Sequence, residues 1–230
     1  MSILPRKKGG GPNTFAGLMR DWLKRKGYRL VTSPKKADMT ILFANRASYA
    51  EIEKAKKNGA FVLHRLDEHF EKNETGFRKE KHEQLVRLNK LADLTIFQSK
   101  FVFENVYPHI KPENYSIIYN GGDPESFFPA KTAGKYIGHV TWSVHNKKRL
   151  DLLYKFIKEH PDEQFLLIGN HRESVLGFDL PNVILKGKTS RKRLGGYYRM
   201  MKLMYFPSEN DPCSNSVVEA ILSGVPVCYH

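Results

Sequence analysis

Apolar and polar positions alternate along the chain in two rhythms. Phe15, Leu18, Met19, Trp22 and Leu23 fall at i, i+3, i+4, i+7 and i+8, one face of a helix that Gly27 ends. Short β-rich runs follow at 28–32 and 39–44, then a helical stretch at 50–58 and a buried strand at 60–64. A polar amphipathic helix is predicted over 78–91, a strand over 94–98, a helix over 100–106 and a strand over 115–119. Residues 120–134 break the pattern with three glycines, two prolines and no period, which reads as a linker. The alternation then restarts with a strand at 135–142 and a helix at 148–160 that turns Leu150, Leu153, Tyr154 and Ile157 inward. Strands at 164–169 and 183–186, a helix at 190–200, a strand at 203–206, a helix at 215–223 and a strand at 225–229 complete it. Such an alternation predicts parallel sheets covered by helices on both faces. Two runs of it predict two Rossmann-like doubly wound domains facing a cleft, residues 1–130 and 131–230.

Composition narrows the class. Hydrophobic residues make up 40% of the 230, enough for a real core. The longest apolar runs, 165–168 and 221–227, are far too short to span a bilayer, and residues 1–11 are basic without the apolar stretch of a secretory signal. Cys213 and Cys228 have neither the number nor the spacing of a disulfide framework or a zinc site. The chain reads as soluble, reduced and cytoplasmic.

Charge changes the picture more. Lysine and arginine outnumber aspartate and glutamate 38 to 24, a net charge of +14. A surface of that sign attracts polyanions, whether nucleic acid, anionic headgroups or phosphorylated ligands. The basic clusters at 6–8, 54–57, 147–149 and 191–193 are scattered, as on a plain solvated surface. Nucleic acid is disfavoured as a partner, because no recognition helix, strand-borne aromatic pair or zinc finger accompanies the charge. Peripheral contact with an anionic membrane is the stronger functional reading of the two, and a bare solvated surface stays ahead of both.

Three segments carry candidate chemistry. Gly9-Gly10-Gly11-Pro12 precedes the first helix, where glycines let backbone N–H groups approach an anion. A plain tight turn explains it equally well. Residues 143–151 form a polar, basic turn after the first strand of the second half, the place where ligands sit in open α/β sheets. There Lys148 can meet a diphosphate, or simply be an exposed lysine. The third segment runs from Phe206 through Pro207-Ser208, Asp211-Pro212 and Cys213-Ser214-Asn215-Ser216 to Glu219-Ala220, with Gly224, Pro226 and Val227 beyond. A strand ends there at a turn of small polar residues, and a helix begins whose free N–H groups suit phosphate oxygens. Asp211 and Glu219 are placed for sugar hydroxyls, or as a helix cap and a surface glutamate.

Together these residues resemble family 4 of the retaining GT-B glycosyltransferases, over nearly the whole chain. Asp211 and Glu219 stand eight positions apart in a context similar to P-S-x-x-E-P-x-G-x-S-x-x-E-A-x-x-x-G-x-P-V. Ile118-Tyr119-Asn120-Gly121-Gly122-Asp123, through Phe127 to Pro129, resembles N-G-V-D-x-x-x-F-x-P between the family's domains. Lys148 before Leu150-Asp151-Leu152-Leu153 resembles K-G-x-D-L-L. Residues 165–169 and 181–187, ending in Gly187, resemble the strands that frame the base pocket, and Gly10 and Gly11 the N-terminal glycine loop.

The resemblance implies transfer of a sugar from a nucleotide-sugar to a glycan or lipid-linked acceptor, with retention, without a metal and with no cofactor beyond the donor. It assigns the acceptor to the first domain and the donor to the second. Lys148 would neutralise the leaving diphosphate, with Lys147 and Arg149 beside it. Ser214, Asn215 and Ser216 would bind phosphate or sugar oxygens, Glu219 the ribose and Asp211 the transferred sugar. His64 and Asp67, at the end of a strand, would touch acceptor or sugar, although a buried structural histidine reads equally well.

Several positions depart from the pattern. Asp211 stands where the family mostly has glutamate, Ser143 where an arginine usually precedes the lysine, and Ser214 where a glycine is common. The chain stops at His230 just after a strand, so the second domain is expected to be incomplete. An alternative from another class is a non-catalytic GT-B remnant that binds an anionic surface or nucleic acid. An epimerase or phosphorylase on the same architecture is the alternative among enzymes.

Overall fold

The computed structural model describes residues 1–4, 11–68, 70, 76–144, 146–171 and 180–229. It divides into two compact units, Met1–Tyr119 and Asn120–His230. The boundary falls before the glycine-rich segment, not after it at 130 as expected. The reason is packing: Asn120 donates to the carbonyl of Cys213 at 2.9 Å and to Asn215 Oδ1 at 3.0 Å, and Phe127 is buried in the second unit's core. A glycine at 195 lets the chain pass close by, since a Cβ there would stand 1.9 Å from the carbonyl oxygen of Ser126.

In the first unit β1 (Ser2–Leu4), β2 (Met39–Phe43), β3 (Phe61–Leu66), β4 (Leu94–Phe97) and β5 (Tyr115–Ile117) form one parallel sheet in the order β1-β2-β3-β4-β5. The connecting helices are α1 (Gly11–Arg25), α2 (Tyr49–Lys57), α3 (Gly76–Asn89) and α4 (Lys100–Ile110). The expected strand at 28–32 is not one, but the Met1 amine donates to the carbonyl of Arg29 at 2.8 Å and the Val31 N–H to that of Met1 at 2.9 Å. Alternate residues of β2 face opposite layers. Ile41 and Phe43 pack with Ala16 and Leu23 of α1, whereas Leu42 packs with Ile52 of α2 and Leu88 of α3.

The face of α1 is rotated from the expected one. Among its described residues Ala16 and Leu23 are buried and Phe15 and Met19 flank them, while Leu18 and Trp22 remain 41% and 50% exposed. Arg65 of β3 is buried against the rings of Phe15, 4.4 Å away, and Phe43. Such cation–π contact suits a guanidinium held away from water.

The second unit is also parallel, in the order β10-β9-β6-β7-β8. Its strands are β6 (Tyr136–Thr141), β7 (Phe165–Gly169), β8 (Val183–Lys186), β9 (Met201–Phe206) and β10 (Val227–Tyr229). The helices are α5 (Leu150–Glu159), α6 (Arg191–Tyr198) and α7 (Asn215–Leu222). Leu153, Tyr154 and Ile157 of α5 cover one face with Ile137 and Leu167, as their spacing predicts. Leu194 and Tyr198 of α6 and Val217 and Ala220 of α7 cover the other with Val140, Ile168 and Met204. The winding reverses between β6 and β9, and the crevice beyond their carboxyl ends is where an open α/β sheet takes a ligand.

Candidate active site

Two turns leave that reversal point. The turn after β6 reaches a short 3-10 segment at Asn146–Lys148, and the turn after β9 covers 207–214. They are stitched together: the carbonyl of Lys147 accepts from the Glu209 N–H at 2.9 Å and from Ser208 Oγ at 3.1 Å. Each turn also holds a non-glycine residue in the left-handed region, Arg149 at φ 46° and Asn210 at φ 50°. Such backbone costs on the order of 1 kcal/mol per residue and gathers at functional sites.

Lys148 and Asp211 meet at the centre. Lys148 Nζ donates to Asp211 Oδ2 at 2.7 Å, and their side chains are only 17% and 14% exposed. The ammonium also lies 5.6 Å from the centre of the Phe206 ring. Arg149 is committed to carboxylates, bonding Asp151 through Nε at 3.1 Å and pairing with Glu209. Lys147 is exposed and joins the site through its backbone.

Behind Asp211 the chain enters α7. Ser214 Oγ and Ser216 Oγ share a hydrogen bond of 2.8 Å, and Asn215 is held by Asn120. This positions the helix start, where unpaired N–H groups favour an anion. One turn further in, Glu219 is 7% exposed. Arg191 Nη2 stands 3.2 Å from its Oε1, and the Tyr198 hydroxyl 3.4 Å from its Oε2. Burial pushes its carboxyl up to about 7, with the Arg191 charge opposing. Gly187 follows β8 and is exposed, with open space where a Cβ would stand.

Arg191 and Tyr198 are absent from the expected site. Arg191 belongs to the 191–193 basic cluster, which reads as surface charge, and Tyr198 reads as an apolar helix position. Asn120 figures in the sequence only as part of a linker motif. Also unforeseen is a pair on the α5 face, the buried His139 and the half-buried His171, with Nδ1 and Nε2 3.4 Å apart. Burial lowers both rings, His171 to about 4, and the neighbouring His171 and Lys148 charges lower His139 further.

In the first unit, His64 does not reach the surface. Its Nε2 bonds the carbonyl of Ala44 at 2.7 Å and its Nδ1 accepts from Asn89 at 3.1 Å, so both nitrogens are spent on the protein. The expectation that it touches a ligand is corrected: four residues into β3, it is a structural strut. Asp67 differs. It follows β3, its Oδ1 is enclosed with no partner among the described residues, and burial, then Glu68, pushes it up to about 6. Gly11 opens α1, and Gly10 lies outside the described residues. Among the described residues, no three or more His, Cys, Asp or Glu converge as a metal site would need, and no helix is long and apolar enough to cross a membrane.

No curated protein sequence matches the chain. The family model described as glycosyl transferases group 1 matches residues 134–229. Among solved structures, sucrose-phosphate synthase from Thermosynechococcus elongatus is 16% identical with a TM-score of 0.66, covering 94% of this chain and 59% of that one. TarM of S. aureus, in complex with fondaparinux, alpha-GlcNAc-glycerol and UDP, is 19% identical with a TM-score of 0.67 over 97% of this chain and 46% of that one. Anabaena HepE in complex with UDP is 14% identical, with a TM-score of 0.68 over 91% and 69%. The chain thus spans about half the length of the first two structures. Residues 134–229 thus match the glycosyl transferases group 1 model, and the chain has the α/β fold of GT-B glycosyltransferases, with two parallel sheets.

Proposed function

We propose that the protein transfers a sugar from a nucleotide-sugar to a glycan or lipid-linked acceptor, with retention at the anomeric carbon and without a metal. One observation carries the reading. A lysine and a carboxylate pair at 2.7 Å at the reversal point of the second sheet, with a buried glutamate eight positions on. The bond to be broken joins a phosphate oxygen to a sugar carbon. A cation and an acceptor side by side can hold the two sides of that bond, Lys148 the diphosphate and Asp211 a sugar hydroxyl. The group 1 domain and the UDP bound by HepE and TarM support a uridine donor.

In this mechanism the bond from C1 to the diphosphate breaks, and the acceptor oxygen bonds to C1 from the same face. The acceptor proton passes to the departing phosphate, so no protein nucleophile is required. Lys148 and the N–H groups around Ser214, Asn215 and Ser216 meet the developing charge, which is electrostatic stabilisation of the transition state. Glu219 holds the ribose, and Gly187 borders the base. Asp67, a carboxyl raised into the range where a group exchanges protons near neutrality, belongs to the acceptor side.

A panel of UDP-, GDP- and ADP-sugars, followed by calorimetry and by NMR of the product anomer with and without EDTA, tests the proposal. Binding of one nucleotide class and an α-product from an α-donor in the presence of chelator is expected. No binding across the panel, with the chain folded, leaves the non-catalytic alternative. Activity that EDTA abolishes and Mg²⁺ or Mn²⁺ restores overturns the metal-free mechanism.

A further inference from the structure

The carboxylate of Glu219 is held unequally at its two oxygens. Arg191 Nη2 is 3.2 Å from Oε1. The Tyr198 hydroxyl faces Oε2 at 3.4 Å, but the carbonyl of Ser216 lies closer to it, at 3.0 Å. A phenol has one proton, and given to Ser216 it leaves none for Oε2. Among the described residues the charged and titratable groups facing Glu219 are Arg191 and Tyr198, both from α6. The 120–130 segment contributes the ring of Phe127, with the Arg191 guanidinium 5.2 Å above it and Tyr198 edge-on at 5.8 Å. Among the described residues Arg191 reaches Glu219 through Nη2 and its Nε is buried with no partner, so its hold on that carboxylate rests on charge at one oxygen.

We propose that Arg191 is a positioning residue of the donor site, whose guanidinium orients Glu219 and favours its charged form, in which it accepts hydrogen bonds from the hydroxyls of the donor's ribose. The proposal rests on the reading of Glu219 as a donor-binding group given above. A buried carboxyl with no cation beside it takes up a proton, because desolvation disfavours the charge. Protonated, it loses the charge-assisted acceptance that makes carboxylate–hydroxyl bonds short and strong. Even with Arg191 present, burial already lifts Glu219 to about 7, so little further loss of charge nearby would neutralise it. The pair also separates roles within the site: Lys148 answers Asp211, and Arg191 answers Glu219.

The test uses the full chain with Arg191→Met, Arg191→Gln and Arg191→Lys, and Glu219→Gln to assign the signal. Without ligand, the titration of Glu219 is followed by NMR of carbon-13-labelled glutamate carboxyls. Its midpoint is expected to rise by about one pH unit or more in Arg191→Met or Arg191→Gln and to return toward the original in Arg191→Lys. With UDP, calorimetry is expected to show roughly tenfold weaker binding of the uncharged variants near neutrality, recovered at about pH 9. An unmoved midpoint in a folded uncharged variant overturns the proposal, as does a loss of affinity that is equal at both pH values. If the parent chain binds no nucleotide, the donor reading fails, while the ligand-free titration still decides whether Arg191 controls Glu219.

Discussion

The ring of His64 lies between the carbonyl of Ala44 and the side chain of Asn89, which in turn donates to Thr95 at 2.9 Å. Burial lowers it from the usual histidine value of 6.5 to about 4, the Ala44 bond opposing. Between those values the unfolded chain binds a proton that the folded chain refuses. Stability is therefore complete above about pH 6.5 and falls as pH drops toward 4. The shift corresponds to about 3 kcal/mol. Denaturant titration of the parent and of His64→Gln between those pH values checks this. The variant is expected to start less stable and to lose less on acidification; equal slopes would remove His64 as the cause. Glu219 has the opposite sign. Its folded value is raised from 4.5 to about 7, so it opposes stability increasingly as pH rises through that window. Glu219→Gln is accordingly expected to keep the fold at pH 8 and to weaken nucleotide-sugar binding by about 1.5–3 kcal/mol, read calorimetrically. Unchanged affinity in the folded variant would exclude its donor role.

At the scale of elements, periodicity made most of the chain legible, because a parallel strand buried on both faces and a helix buried on one leave different spacings. What it missed has physical causes. β1 is three residues long, and its strand character comes from pairing with Thr40, Ile41 and Leu42, not from its own sequence. Conversely, 28–32 has strand composition but only two backbone bonds to Met1. α4 runs on through Pro108 to Ile110, giving up the i−4 hydrogen bond that a proline cannot donate. Asp211 and Glu219 stand out in the sequence through the resemblance they carry; Arg191 does not, because its contact with Glu219 requires α6 to pack beside α7. On α6, Gly195 lies against the 120–130 segment. A Cβ there would meet the carbonyl oxygen of Ser126 at 1.9 Å, whereas one at Gly196 meets nothing within 4 Å. Gly195→Ala is expected to destabilise the second unit by about 1–3 kcal/mol through overpacking. Gly196→Ala, in the same helix, should be neutral or stabilising by up to about 1 kcal/mol. Thermal unfolding of the two variants separates the effects, and equal behaviour would show that the helix tolerates the approach.

For the whole molecule the outstanding quantity is a net charge of +14. Several basic groups have carboxylate partners, Lys56 with Asp93 and Lys202 with Glu163 among them; residues 1–119 carry +10 of the excess (23 basic against 13 acidic) and residues 120–230 +4 (15 against 11). A dispersed excess gives long-range attraction to any polyanion but little specificity. On α1 the charge is joined by something else: Leu18 and Trp22 are exposed one turn apart, with Lys24 and Arg25 in the last turn and Lys26 Nζ 5.8 Å from the Trp22 ring. A tryptophan and a leucine amid cations suit the boundary between headgroups and acyl chains. Each lysine or arginine near an anionic bilayer contributes about 1 kcal/mol, and the attraction fades within a Debye length. Vesicle flotation distinguishes the contributions. The chain is expected to float with phosphatidylglycerol vesicles at low ionic strength, to be released by high salt and to ignore neutral vesicles. If α1 is the contact, Trp22→Ser reduces what remains bound at intermediate salt, because apolar insertion is not screened. No flotation would leave the charge as solvated surface alone. Tighter, salt-sensitive binding to a short DNA duplex would assign the charge to nucleic acid.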